Sequence, residues 1–348
     1  MDPKTLKKIY SDYLKFKHID LEVRLKEFDL YHLFKKIIPV LIENGYRNRA
    51  KFQVFRIGDL FLVLGTDPLL GRVSWDEAAM LLPEWGREVL QDLVEMIEVQ
   101  PHFLPVDGFE LQLTHGREEA HIVLAVNRKE RGVFNQIIRD IMKNIPKIKG
   151  AAIPSQKISI GREELYHCIL EQNYYSHYSA FFQSNLQLTP LLLLEVKKEV
   201  RTQTFDRIID LFCGAGLFSL YLRNNTGTII GVDIERCAVE SARKNAEQAG
   251  AANTEYLCCP VQKWVEKNKI TPSDMVILDP PRSGCPESVV QAVGEQSPQL
   301  ICLISCYPET YFRDLKIWRT LGWKPVSFQA FDMFPFTNFL ETVAFLRR

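Results

Sequence analysis

The sequence has no cysteine before Cys168, no CxxC pair, and no secretory apolar stretch behind Met1-Asp2-Pro3-Lys4. Its eight cysteines are scattered from Cys168 to Cys306, which argues against a disulfide framework and for reduced thiols in a cytoplasmic protein. Seven histidines form no HExxH or paired ligand pattern, so no metal is expected. No apolar run approaches the roughly 20 residues of a membrane helix. The longest, such as Leu191-Leu192-Leu193-Leu194, are short and charge-flanked, so neither a span nor an anchor is expected. Net charge is also missing, 43 Lys and Arg cancelling 43 Asp and Glu. The cancellation is not local: residues 1–56 carry thirteen Lys and Arg against seven acids, an excess of six positive charges that suits phosphate contacts. The rest is ordinary. Hydrophobic residues at 46%, charged at 25%, and 18 Gly beside 18 Pro exclude collagenous, low-complexity and disordered chains. A length of 348 residues allows two or three domains.

Residues 1–45 read as a charged amphipathic helical segment in which Leu14, Leu21, Leu25 and Leu33-Phe34 punctuate Lys and Asp. Residues 46–180 read as a small α+β domain. A hairpin is expected over Gln53–Leu64 around Gly58-Asp59, a helix over Asp76–Val99 interrupted at Pro83, and a strand pair at Phe109–Leu113 and Ala120–Val126 joined by Gly116. The Tyr-rich stretch from Gly161 to Tyr178 is expected to close that sheet. Over residues 181–348, apolar strands at 207–212, 228–234, 255–259, 274–279 and 300–306 alternate with helices, clearest at Arg236–Ala249 and Thr310–Leu321. That rhythm predicts a parallel, doubly wound sheet buried on both faces. The final pair, Val326–Met333 and Leu340–Leu346, has no helix between, so the last strand should run antiparallel.

Ligands of open α/β sheets bind outside the carboxyl ends of strands. The first strand ends Asp210-Leu-Phe-Cys-Gly214-Ala-Gly216, where glycines let the backbone turn tightly. A third glycine of the dinucleotide fingerprint would fall at Ser219, which argues against NAD. The second strand ends in Asp233, placed to bond ribose hydroxyls. This combination suits S-adenosylmethionine; the plain alternative makes the glycines a turn and Asp233 a helix cap. The fourth strand ends Asp279-Pro-Pro-Arg282-Ser-Gly284 and the fifth Ser305-Cys306-Tyr307. Cys306 is either a small buried hydrophobe or a thiol beside the methyl donor.

With those residues in hand, the chain from Tyr46 onward resembles the RNA (uracil-5-)-methyltransferase family. The resemblance is carried by Phe181-Phe-Gln183-Ser-Asn185, the Asp210–Gly216 loop, Asp279–Gly284, Ser305-Cys306 with Pro308-Glu-Thr310 and Arg313-Asp314, and Asp332-Met-Phe-Pro335 with Thr337 and Glu341. Tyr46-Arg-Asn-Arg-Ala-Lys51 resembles the family's early substrate-domain segment. The fold implied is a Rossmann-like class I methyltransferase domain, preceded by a smaller α+β substrate-binding domain. The implied activity is methyl transfer from S-adenosylmethionine to carbon 5 of a uridine in tRNA or 23S rRNA. Cys306 is then the nucleophile and Glu341 the base. Gln183, Phe212, Gly214, Gly216, Asp233 and Asp279 are implied at the cofactor, and Phe181, Arg282, Arg47 and Arg49 at the RNA. An iron–sulfur cysteine cluster and an RNA-binding barrel, found in some members, are not expected here, and a monomer is.

The chain departs from the family at Tyr307, where Asn follows the nucleophile, at Phe339, where His precedes the base by two, and at Leu217, where a polar residue follows the glycine loop. Two other readings therefore stand beside the first: a class I methyltransferase acting on another RNA position, which needs no thiol, and a catalytically degenerate RNA-binding paralogue.

Overall fold

The computed structural model describes residues 3–41, 45–57, 60–67, 71–99, 106–126, 131–185, 187–201 and 203–348. It opens with a 25-residue helix, α1 (Pro3–Glu27), and a two-residue strand, β1 (Ile37–Ile38). A seven-stranded sheet follows, built from β2 (Arg49–Ile57), β3 (Leu60–Asp67), β4 (Gly71–Ser74), β5 (Val106–Leu113), β6 (Ala120–Val126), β7 (Ile148–Ile153) and β8 (Ile158–Gly161), in the order β4-β3-β2-β5-β6-β7-β8. Helices α2 (Trp75–Ala79), α3 (Glu84–Val99) and α4 (Arg131–Asn144) share one apolar core with it. The helix break falls at Pro83, which has no amide proton to donate. The β2–β3 hairpin forms as expected, while its turn residues Gly58 and Asp59 lie outside the described residues.

Residues 161–178 do not close this sheet as a unit. Only β8 joins its edge; β9 (Glu164–Ile169) and β10 (Gln172–His177) form a separate antiparallel ribbon. That ribbon turns toward the second half of the chain, where Asn245 clamps the backbone of Tyr175, donating to its carbonyl at 2.9 Å and accepting from its amide at 2.6 Å. Tyr174, fully buried, belongs to the core beneath the second sheet.

That second half supplies α5 (Leu188–Val200), β11 (Phe205–Leu211), α6 (Leu217–Tyr221), β12 (Thr226–Asp233), α7 (Arg236–Gln248), β13 (Thr254–Cys258), α8 (Val261–Lys267), β14 (Asp274–Leu278), α9 (Glu287–Gln296), β15 (Leu300–Ser305), α10 (Pro308–Thr320), β16 (Lys324–Phe331) and β17 (Glu341–Arg347). The strand order is β1-β16-β17-β15-β14-β11-β12-β13, all parallel except β17, which runs against both neighbours. Double-sided burial follows from the alternation of side chains along a strand. Leu300, Cys302 and Ile304 of β15 enter one core while Ile301 and Leu303 enter the other.

The amino-terminal segment is part of this unit. Leu21, Leu25 and Ile37 pack into one core, Tyr10 and Val40 into the other, so the segment straddles the sheet edge at β16. Several charges of this basic helical segment are engaged in pairs within the protein. Lys17 is buried on Asp332, Arg24 bridges Asp20 and Glu309, and Lys15 meets Asp12. Apolar burial against the sheet edge outweighed the charge pattern. Among the described residues no helix is long and apolar enough to cross a membrane.

Candidate active site

Strand order switches at β11, which has β12 on one side and β14 on the other. Beyond the carboxyl ends of these strands lies a cavity of about 820 Å³, within the usual range for small-ligand sites. Phe181, Gln183, Phe212, Gly214, Asp233, Asp279, Arg282, Cys306 and Glu341, drawn from six separate stretches of sequence, all line it.

The glycine loop takes its shape from left-handed backbone at Phe212 (φ 67°), Gly214 (φ 52°) and Gly216 (φ 77°). A side chain at Gly214 would meet nothing within 4 Å, so this backbone opens onto free space. Gly216 behaves differently: a Cβ there would stand 2.9 Å from the Tyr256 hydroxyl, inside the core. It makes the turn, packed toward the core, and is not among the residues that line the cavity. Asp233 accepts from the Gly214 amide at 2.9 Å and from the Glu235 amide at 2.9 Å. It ties two loops together, the second just ahead of α7, where Glu235 holds the cap position. With two lone pairs per carboxylate oxygen, it keeps capacity for further donors. Beneath the loop, fully buried Asp210 accepts from the Ser219 amide; burial pushes its carboxyl up to about 7.

Strand pairing brings the thiol and carboxyl together. Ser305 of β15 lies opposite Thr342 of β17, so the next step of the antiparallel register sets Cys306 against Glu341. The Leu340 amide donates to the Cys306 carbonyl at 3.1 Å, and the Thr342 hydroxyl donates to the Ser305 carbonyl at 3.2 Å. Opposed residues put their Cβ atoms about 4.5–5.5 Å apart on one face. Glu341 is buried, and its Oε1 has no hydrogen-bond partner in the protein. Burial, followed by the neighbouring Asp279, pushes the Glu341 carboxyl well up. Asp279 rises to about 7, chiefly through burial and then through Asp210 and Asp233. The half-buried Cys306 thiol is pushed up to about 12 by burial, with Glu341 and Asp279 adding to it; Arg282 opposes the rise.

Arg282 is held by aromatic faces. Its guanidinium carbon lies 3.9 Å from the centroid of the Phe339 ring and 6.0 Å from that of Phe334, cation–π distances. Phe339 in turn meets Tyr307 edge-on at 5.3 Å. Two of the departures from the family pattern are thus in mutual contact, and they support a cation facing the thiol. The third, Leu217, is a buried residue at the start of α6.

Residues the motifs contained without explaining are the fasteners of this wall. Asp314 accepts from the Cys285 amide at 2.8 Å, and Arg313 donates to the Ser283 carbonyl at 2.9 Å, so α10 anchors the loop after β14. Asn185, fully buried, accepts from the Gln187 and Leu188 amides at the start of α5 and donates to the Met333 carbonyl at 3.1 Å. Asn48 donates to the Gln183 carbonyl at 3.2 Å.

Arg47 and Arg49 lie in a second cavity of about 610 Å³, between the first sheet and the stretch that follows the ribbon, which shares Phe181 with the first. Phe181 is 63% exposed at this junction. Arg49 bonds Glu110 at 2.8 Å and the carbonyls of Tyr178 and Ala180, so it serves as a brace. Lys51, also lining the groove, is 80% exposed.

The family model described as tRNA (Uracil-5-)-methyltransferase matches residues 267–348, and a general methyltransferase domain matches residues 204–305. Residues 204–348 thus carry a methyltransferase domain whose carboxyl-terminal part is similar to that of the RNA (uracil-5-)-methyltransferases. Similar proteins include an uncharacterized RNA methyltransferase of Clostridium acetobutylicum, 35% identical over 219 residues, 61% of this chain and 47% of that one. Another, from Thermotoga maritima, is 30% identical over 285 residues, 76% of this chain and 64% of that one. The chain spans about half the length of several curated relatives it matches. The fold matches that of Pyrococcus abyssi tRNA (uracil-54, C5)-methyltransferase, solved with S-adenosyl-L-homocysteine, at TM-score 0.72, 22% identity, 97% of this chain and 83% of that one.

Proposed function

We propose that the protein transfers a methyl group from S-adenosylmethionine to carbon 5 of a uridine in RNA, with Cys306 as nucleophile and Glu341 as base. The observation that carries this is the β15–β17 register, which opposes a thiol and an unpartnered buried carboxyl within one cavity. Bound S-adenosylmethionine supplies an electrophilic methyl group on a sulfonium. The residues fit it: Gly214 leaves open space at the loop, Asp233 offers a carboxylate to ribose hydroxyls, and exposed Ile234 with Phe212 and Val261 gives an apolar slot for adenine.

Carbon 5 of uracil is too weak a nucleophile unaided. Addition of the Cys306 thiolate to carbon 6 forms a carbon–sulfur bond and displaces the ring's π pair into an enolate, which makes carbon 5 nucleophilic. Once carbon 5 carries the methyl group, Glu341 takes its remaining proton. The 5,6 double bond re-forms and the carbon 6–sulfur bond breaks, releasing the thiolate. A base with a raised pKa is suited to this work near neutral pH, where such groups contribute about 10²–10⁴-fold. The buried carboxyl pair fits that demand. Arg282 offsets the charge of the ionised thiol. A uridine in structured RNA must leave its stack to reach the cavity, at a cost of a few kcal/mol, and exposed Phe181 offers a stacking face. The groove of Arg47 and Lys51 beyond Phe181 suits the neighbouring phosphates of a tRNA or rRNA segment.

The test is to incubate Glu341→Gln with cellular RNA and S-adenosylmethionine and run a denaturing gel. The expected result is a denaturant-resistant protein–RNA adduct that vanishes when Cys306 is also replaced by Ala. Absence of both the adduct and of 5-methyluridine from the wild-type reaction refutes the reading; methylation that survives Cys306→Ala points instead to an exocyclic nitrogen. Sequencing the trapped RNA names the substrate.

A further inference from the structure

We propose that Lys17, on the amino-terminal helix, is a positioning residue for the Cys306–Glu341 pair, acting through the segment from Phe334 to Phe339 and through Arg282. The proposal rests on the functional reading above and extends it to a residue far in sequence from the glycine loop and the motifs at the strand ends.

The geometry is that of a three-point clasp. The Lys17 ammonium, 5% exposed, donates to Asp332 Oδ1 at 2.6 Å, to the Phe334 carbonyl at 2.9 Å and to the Phe339 carbonyl at 2.8 Å. An ammonium has three protons, and each has an acceptor. Two of the three acceptors are main-chain atoms at the two ends of one short segment. Immediately after that segment the Leu340 amide bonds the Cys306 carbonyl, and β17 begins at Glu341. The side chains of the same two residues, Phe334 and Phe339, flank the Arg282 guanidinium. One ammonium thus fixes the backbone of both residues whose rings hold the cation facing the thiol. A second contact from the same helix reinforces the clasp. Tyr10 packs edge-on against Phe336 at 5.5 Å, and Phe336 holds a left-handed φ of 62° in the middle of the segment.

An ion pair serving the fold alone would need Asp332 and neither carbonyl. Buried pairs are weak devices for stability in any case, because desolvation offsets most of the attraction. The groups facing Lys17 are Asp332, the Tyr13 ring at 5.9 Å and, beside Asp332, the Tyr10 hydroxyl, which accepts from the Val40 amide. Those acting on Cys306 are Glu341, Asp279 and Arg282. Loosening the segment frees Arg282 from its aromatic seat and shifts the start of β17, so it acts on thiol ionisation and on the base together.

Lys17→Met alone strands the Asp332 carboxylate in the interior and endangers the fold. The informative variant is therefore Lys17→Met/Asp332→Asn, neutral on both sides. Four quantities are measured on the full chain: thermal melting, S-adenosylmethionine affinity by calorimetry, single-turnover methyl transfer to RNA, and the rate of iodoacetamide alkylation of Cys306 against pH by mass spectrometry of its peptide. The expected result is a folded protein with cofactor affinity within about twofold of wild type, methyl transfer down by about ten- to a hundredfold, as sub-ångström misplacement of reacting groups gives, and slower Cys306 alkylation at every pH below its pKa. Wild-type transfer and alkylation in the folded double variant overturn the proposal. So does a joint loss of cofactor affinity and transfer with an unchanged alkylation profile, the mark of a purely structural role. The alkylation readout needs no RNA: a slowed profile with no methyl transfer even by wild type sustains the positioning role and refutes the functional reading instead.

Discussion

Replacing Arg282 with Met removes the cation that opposes the upward push on the Cys306 thiol. The thiol at about 12 leaves roughly one in 10⁴ ionised at pH 8 in the ligand-free protein. An opposite charge within about 4–6 Å typically changes a pKa by ~1–3. Arg282 is exposed on its outer face, so water and salt screen it, and the lower end of that range applies. The thiolate fraction should then fall about tenfold at any pH below the pKa. The sign is fixed: a cation favours the charged thiolate, so its loss raises the thiol further. Iodoacetamide labelling of the Cys306 peptide across pH 7–10 reads this directly, and Arg282→Met should lie about tenfold below wild type throughout. Arg282→Lys, which keeps charge and loses the planar stack on Phe339, should fall between the two. Raising salt to about 1 M should narrow the gap, because the Debye length contracts to ~3 Å. An unchanged or faster labelling rate in Arg282→Met refutes the assignment of Arg282 as the thiol's counter-charge.

Two further outcomes test the cofactor side. Asp233→Ala deletes the acceptor shared by the Gly214 and Glu235 amides, so S-adenosylmethionine affinity measured by calorimetry should drop about tenfold or more while Cys306 labelling stays at the wild-type rate. Asp210, buried and raised to about 7, binds its proton more tightly folded than unfolded, so the ligand-free protein should lose stability as pH rises from about 4 to about 7. The slope from this one carboxyl is at most about 1.4 kcal/mol per pH unit. Thermal melts across that window should flatten in Asp210→Asn, and an equally steep decline in the variant refutes the attribution.

The catalytic half was legible because its signals are local. Alternating apolar strands, helix-forming windows and glycine turns each write themselves into a few adjacent residues, and the family motifs sit at strand ends that one sheet gathers together. The antiparallel last strand followed from the missing helix between β16 and β17. What escaped were partnerships across the chain. Lys17 and Asp332 are 315 positions apart, and neither carries a local mark of the other. In the sequence Lys17 is one of thirteen Lys and Arg in residues 1–56, with nothing local to set it apart. The ribbon β9–β10 has the same Tyr-rich alternation as an edge strand, and only the burial of its Tyr174 in the second core and the Asn245 clamp on Tyr175 decide where it goes. Asn185 stood inside a recognised motif, yet its work, capping α5 and holding the Met333 carbonyl, depends on a segment almost 150 residues later.

The reversed polarity of β17 is a chemical requirement as much as a topological one. A strand entering the sheet from the same edge at which β15 leaves it delivers its first residue where β15 delivers its last. Were β17 parallel to β15, Glu341 would emerge at the far edge, about 20 Å away at ~3.3 Å per residue over six residues. A slip of one residue would be equally fatal, turning the carboxyl to the opposite face. The hydrogen bonds that hold Ser305 to Thr342 and Cys306 to Leu340 therefore act as a ruler for the reaction, and an insertion or deletion between Phe334 and Leu340 changes the chemistry before it changes the fold.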